Sequence, residues 1–256
     1  LSNDAEINVN VRSTGTNRQG VDVTLTATES ITLEGGVQGG SSIGMSARAT
    51  GSSGGNLLMQ AKDISVVDST INAQLQKDAQ GGNLTLESTS LSLNNSGINS
   101  NAFNQAAGGV ISLTTHDLTM TMGSTIDADN IGDDPSRLSA QILLNVENLT
   151  MSDRSQIATE TGEAGSKGLM INVDETLELT TGALISADSF GSAASSDIQI
   201  NAQNLVLQTG AQIRSNAIRS GAGGRVMIGV VDTIVIDGIQ DDAASAISSS
   251  SGDRFN

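Results

Sequence analysis

One histidine and a small set of carboxylates are the residues in this chain whose types could do chemistry. His116 stands in the stretch TTHDL beside Asp117, so any Ser-His-Asp arrangement would have to use it, with a carboxylate aligning the imidazole. A solvated turn histidine is the preferred reading, because Asp117 already fills a corner-capping place in the repeat described below. Stacking that repeat sets His116 beneath Glu147, and Glu147 beneath Glu175. Two carboxylates one strand spacing apart, about 5 Å, could form the raised-pKa pair that glycosidases use. An exposed, screened row of turn residues is the preferred alternative. The densest acidic stretch is DADNIGDDPS, Asp127 to Ser136, with Asp127, Asp129 and Gly132 at the offsets of an EF-hand calcium loop. Ile131 occupies a ligand place and Leu138 replaces the final acidic ligand, so the match fails. No Gly-rich motif follows a strand and opens a helix, and zero Cys removes thiolate sites. No cofactor or metal is expected.

Those residues must be held by the elements of a repeat, of which Asp197 to Gly224 is one unit. Ile198 and Ile200 alternate with polar residues, Leu205 and Leu207 alternate again after a polar corner, and a lone Ile213 follows a Gly-containing corner. First strands carry Val23/Leu25, Leu57/Met59, Leu84/Leu86, Ile111/Leu113, Ile142/Leu144, Leu169/Ile171, Ile198/Ile200 and Val226/Ile228. On the second member of each pair the spacings are 34, 27, 27, 31, 27, 29 and 28 residues, a period near 29. Second strands carry Ile31/Leu33, Ile64/Val66, Leu91/Leu93, Leu118/Met120, Leu149/Met151, Leu177/Leu179, Leu205/Leu207 and Ile234/Ile236. The third element centres on Ile43, Ile71, Ile98, Ile126, Ile157, Ile185, Ile213 and Ile247, the expected structural core.

Short strands joined by corners, with apolar side chains pointing one way, close a core only by stacking on neighbouring units. The predicted fold is therefore all-β: a right-handed parallel β-helix, handedness following the preference of parallel crossovers. About eight coils of roughly 29 residues with three short strands each make a rod on the order of 40 Å long. The chain reads as one β-helical segment: 1–19 end a truncated coil, 20–251 hold the eight coils, and 252–256 begin the next or form a tail. Opening in mid-pattern, it reads as a piece of a longer protein, so the lack of a signal peptide at Leu1 carries little weight.

Corners repeat as regularly as strands. Ser30, Asp63, Ser90, Asp117, Asn148, Thr176, Asn204 and Thr233 precede the second strands, where short polar side chains bond nearby backbone. Two residues before each third-strand isoleucine the residue is Ser or Ala; one further back stand Asp68, Asn95, Gly123, Gly182 and Gly210, types suited to a left-handed backbone, and Arg154, which is not. Length varies after the third strand, in Met45 to Gly55, Asn72 to Gly82, Asn99 to Gly109, Asp127 to Ser139, Ala158 to Gly168, Ser186 to Ser196 and Arg214 to Gly224. These stretches are expected to protrude from one edge. Phe103 and Ile131 on adjacent coils, and Phe190 and Ile218 on another pair, are candidate exposed anchors, with burial under folded-back loops the preferred reading. Thr159 is the outward-facing comparator for Ile157.

Composition narrows the function classes. The chain has 3 Phe, no Trp, no Tyr, 29 Gly and a formal charge of -16, so aliphatics must fill the core and disorder is opposed by their regular placement. Only 12 Lys plus Arg, none clustered, argue against nucleic acid and anionic membrane surfaces. No apolar run is long enough to span a bilayer.

The units GGNLTLESTSLSLNNSGINS, GLMINVDETLELTTGALISA and DIQINAQNLVLQTGAQIRSN, with the ending VVDTIVIDGIQDDAASAISSSSGD, resemble the repeats of filamentous-haemagglutinin-like exoproteins, particularly those of cyanobacterial type, over roughly Gly20 to Ser251. The resemblance implies a secreted or cell-surface rod, exported by an outer-membrane partner in two-partner secretion. It further implies contact with a host or neighbouring-cell surface or with extracellular polysaccharide; end-to-end association of rods is a further expectation. The family's export domain carries Asn-Pro-Asn motifs; the only proline here is Pro135, and there is no RGD. The expected function is a non-catalytic shaft with variable loops available for binding. The alternative is a polysaccharide-acting β-helix enzyme, a lyase or hydrolase using the Glu147/Glu175 row, which would lack Trp and Tyr as sugar platforms.

Overall fold

A half-buried pleat needs one apolar side chain in every two, and the alternating pairs supply it. The computed structural model describes residues 1, 4–11, 18–36, 40–134, 136 and 140–251. Pro135, Leu138 and the tail 252–256 lie outside the described residues. First strands stack in parallel from Val23–Thr26 to Val226–Asp237, with Leu25 beside Met59, Met59 beside Leu86 and Leu113 beside Leu144. Eight such strands are separated by seven steps, so the chain is an all-β parallel solenoid of about seven turns rather than eight complete ones.

Three short strands per coil hold only at the N-terminal end, where Val23–Thr26 and Ser30–Glu34, Leu57–Gln60 and Asp63–Val67, and Leu84–Glu87 and Ser90–Asn94 are separate. From Val110 onward the first and second strands fuse, as Val110–Thr121, Gln141–Met151, Gly168–Leu179, Ile198–Gln208 and Val226–Asp237. The polar corner between them is short enough to be absorbed as a bulge, which bends a strand without ending its pairing. Register slips between Val146 and Asn148, Val173 and Thr176, and Ala202 and Asn204.

The third strands form a second sheet of nine, from Glu6–Val11 to Ala246–Ser250. Ile7 pairs with Ile43, and the isoleucine column then runs in register through Ile71, Ile98, Ile126, Ile157, Ile185 and Ile213 to Ile247. Ile43 through Ile213 are wholly buried, whereas Ile247 is 36% exposed because no described coil stacks beyond it. Thr159 is also fully buried, which corrects its outward placement: it lies two residues after Ile157 and so shares its inward side.

Between the sheets the turn is specific. At Met122–Gly123, Asp153–Arg154, Thr181–Gly182 and Thr209–Gly210 both residues have positive φ. The N–H groups of Ser124, Ser155, Ala183 and Ala211 donate to the carbonyls of Thr121, Ser152, Thr180 and Gln208, completing I′-type turns. Arg154 takes the left-handed conformation at φ 61 despite its type. Its guanidinium pairs with Asp241 at the tip of the hairpin Ile239–Gln240/Ala243–Ala244, which the last coil lays back over the column of corners. Gly210 lies beneath that hairpin, where a Cβ would come within 2.9 Å of the Gln240 Cβ.

The variable stretches do not protrude as expected. Ala102–Asn104 pairs with Asn130–Gly132, single bridges link Asn130, Thr161, Ser189 and Ala217, and Ala47, Leu75, Ala79, Ala102 and Ala106 bury a small second core. These stretches stack because their backbone groups need partners away from water, and the small side chains let the chain close on itself.

Candidate functional site

His116 sits in the polar corner of the Val110–Thr121 strand, where its own N–H and that of Asp117 both donate to the Thr89 carbonyl at 3.1 Å. Its Nδ1 lies 3.7 Å from Glu147 Oε2, with the His116 side chain exposed and that of Glu147 partly so. Asp117 Oδ1 accepts from Asn148 Nδ2 at 3.1 Å, so this carboxylate is tied to the next coil. The slip in register sets Asp174 and Glu175 together opposite Glu147, and both are exposed. The stacking order therefore matches the expectation, in a solvated row.

A more sheltered row lies elsewhere, three residues after five successive isoleucines: Asn101, Asp129, Glu160, Asp188 and Asn216, of which Asp129 and Asp188 are buried and the others half-buried. Asn101, Asp129 and Asp188 each reach the backbone of the coil above. Asp129 N–H donates to Asn101 Oδ1 at 3.1 Å, Glu160 N–H to Asp129 Oδ1 at 2.8 Å, and Asn216 N–H to Asp188 Oδ1 at 2.9 Å. Arg214 Nε meets Asp188 Oδ2 at 2.8 Å, its own side chain half-buried. Burial, assisted by the charges of Asp127 and Glu160, pushes Asp129 up to about 7 against the Glu160 N–H bond that lowers it. Burial also raises Asp127 to about 6, opposed by its bond to Thr125 and aided by Glu160. Glu160 is raised by burial and by Asp188, with Arg214 opposing. Asp127 and Asp129 can hold protons near neutrality. Among the described residues no group of three or more His, Asp or Glu side chains is placed to hold a metal ion.

Sequence reading stopped at Asp127 to Ser136 and missed Glu160, Asp188 and Arg214. Counting three residues on from every isoleucine would have found the row, because it yields an amide or a carboxylate on six successive coils, from Gln74 to Asn216.

An elbow groove of about 750 Å³ runs along the bend of the long sheet, lined in part by Asn172, Asp174, Asn201, Gln203 and Gly229. Its wall is an amide ladder: Asn172 Nδ2 donates to Asn145 Oδ1, and Asn201 Nδ2 to Asn172 Oδ1, each at 2.9 Å. On the wall built by the variable stretches, Phe103 pairs with Ile131, while Phe190 and Ile218 each follow the next bridged positions, Ser189 and Ala217. Ile131 and Phe190 are each 44% exposed, which corrects the preferred reading that folded-back loops bury them. Among the described residues the loops stack within the wall and do not cover these side chains, while Phe103 and Ile218 are half-buried.

No family model, curated protein or solved structure matches the chain.

Proposed function

We propose that this chain is a non-catalytic structural and interaction rod, the shaft of a secreted or cell-surface adhesin-like protein of the filamentous-haemagglutinin kind. The supporting observation is the unbroken register of the isoleucine column from Ile7 to Ile247, tied sideways by bonds that repeat coil by coil. Ser69 N–H donates to Ser96 Oγ and Ser96 N–H to Ser124 Oγ, each at 3.2 Å, and Asn99 Nδ2 donates to Asn72 Oδ1 at 2.9 Å. Such a rod holds outward side chains at fixed intervals of one strand spacing, which suits a spacer and an extended contact surface.

A polysaccharide-acting enzyme is the second reading, and the proton-holding corner carboxylates favour it more than the solvated Glu147/Glu175 row does. The test is one experiment with two readouts: retention of the chain on cell surfaces and immobilised polysaccharides, and release of new sugar chain ends from the same polysaccharides. Retention without release is expected. Release that disappears in Asp129→Asn or Glu147→Gln would establish the enzyme instead.

A further inference from the structure

Five residues after the isoleucines, the wall presents Phe103, Ile131, Gly162, Phe190 and Ile218 on successive coils. The register is fixed by backbone bonds: Gly162 N–H donates to the Asn130 carbonyl, Phe190 N–H to Thr161, and Ile218 N–H to Ser189. Gly162 therefore interrupts an outward apolar column. Its backbone does not require glycine. Its φ lies outside the left-handed region, and the atoms nearest a Cβ there would be Ile131 backbone at 3.5 Å and the Gly132 carbonyl at 3.6 Å, ordinary contact distances. Ile131 and Phe190 stand two strand spacings apart, about 9.6 Å, so the missing side chain leaves a notch about one side chain wide between two exposed apolar walls.

The rim of that notch is acidic. Glu163 follows Gly162 and is exposed, its carboxylate accepting a hydrogen bond from Ser192 Oγ. Asp133, exposed, lies two residues beyond Ile131, and half-buried Glu160 stands two residues before Gly162. Among nearby cations, Arg214 is engaged with Asp188, exposed Lys167 lies four residues beyond Glu163 and lines the same surface hollow, and exposed Arg219 lies two coils above Glu163.

Building on the interaction-rod reading, we infer that the Gly162 notch is a slot for an arginine or lysine side chain of a basic polypeptide partner. A long cationic side chain packs its methylene stem against apolar walls while its head stays at a polar rim. An arginine head can stack on the Phe190 ring and pair with a carboxylate. The formal charge of -16 draws such a partner in over a longer range.

The test uses a fluorescein-labelled octapeptide of alternating Arg and Ser, titrated with the full chain at 0.15 M salt and followed by fluorescence anisotropy. Gly162→Val fills the notch and leaves every charge in place, so at least tenfold weaker binding is expected, with unchanged circular dichroism and melting. Phe190→Ser is expected to weaken binding similarly, and Thr119→Val, on an outward strand position far from the wall, to leave it unchanged. Equal affinity for wild type and Gly162→Val would reduce the binding to unspecific attraction and overturn the slot. So would no binding by wild type, or displacement of the peptide by a neutral oligosaccharide. Each of these leaves the rod reading standing, because that reading fails on release of sugar chain ends and not on anisotropy.

Discussion

Asp127 and Asp129 carry the clearest electrostatic consequence. An acid whose pKa is raised on folding binds its proton more tightly in the folded chain. Its contribution to stability is therefore full below the unfolded value, near 4, and declines as pH rises toward the folded value. Folded values of about 6 and about 7 place that decline between about pH 4 and pH 7. The melting temperature should accordingly be higher at pH 5 than at pH 8, and Asp129→Asn should flatten the difference; a profile rising toward pH 8 in the wild type would contradict the burial argument. Asp188 behaves as the buried partner of an ion pair. Arg214→Leu leaves it without that partner, and a loss of about 3 kcal/mol is expected from denaturant unfolding. Arg154 is the opposite case. Left-handed geometry costs a non-glycine residue roughly 1–2 kcal/mol, more than the about 0–1 kcal/mol that an exposed pair returns. Arg154→Gly should therefore stabilise the chain slightly despite losing Asp241.

At the scale of the element, the isoleucine column decides the fold. Ile157→Asp places a carboxylate among wholly buried side chains and should abolish cooperative unfolding, whereas Gln156→Asp, one position away on the outward side, should shift the denaturation midpoint only slightly. Comparable damage at both would remove the column from its central role. The column was legible in the sequence because eight isoleucines recur at matching places, and pairing in parallel follows once no short hairpin turn links the strands. Fusion of the first and second strands was not legible, since bend and break have the same five- or six-residue spacing. The outward placement of Thr159 failed for a related reason: two residues beyond an inward isoleucine is again inward, and a threonine does not announce this by its polarity. Glu160 and Asp188 escaped because they lie outside the strands, at an offset that only stacking turns into a row. The variable stretches misled through composition, as Gly and Ser suggest exposed loops while here they permit close stacking.

For the whole molecule, parallel stacking makes position along the rod proportional to coil number, and the absence of cysteine allows that relation to be read with spin labels. Thr24, Leu58, Thr85, Ser112, Leu143, Met170, Gln199 and Met227 are paired in sequence down the long sheet. Cysteines introduced for labelling at Thr24 with Ser112, with Met170 and with Met227 span three, five and seven steps. Pulsed dipolar spectroscopy should return separations centred on about 14, 24 and 34 Å, rising linearly by about 4.8 Å per coil. Separations that fail to rise with coil number, or that broaden into a distribution for the longer pairs, would contradict the continuous rod on which the proposed function rests.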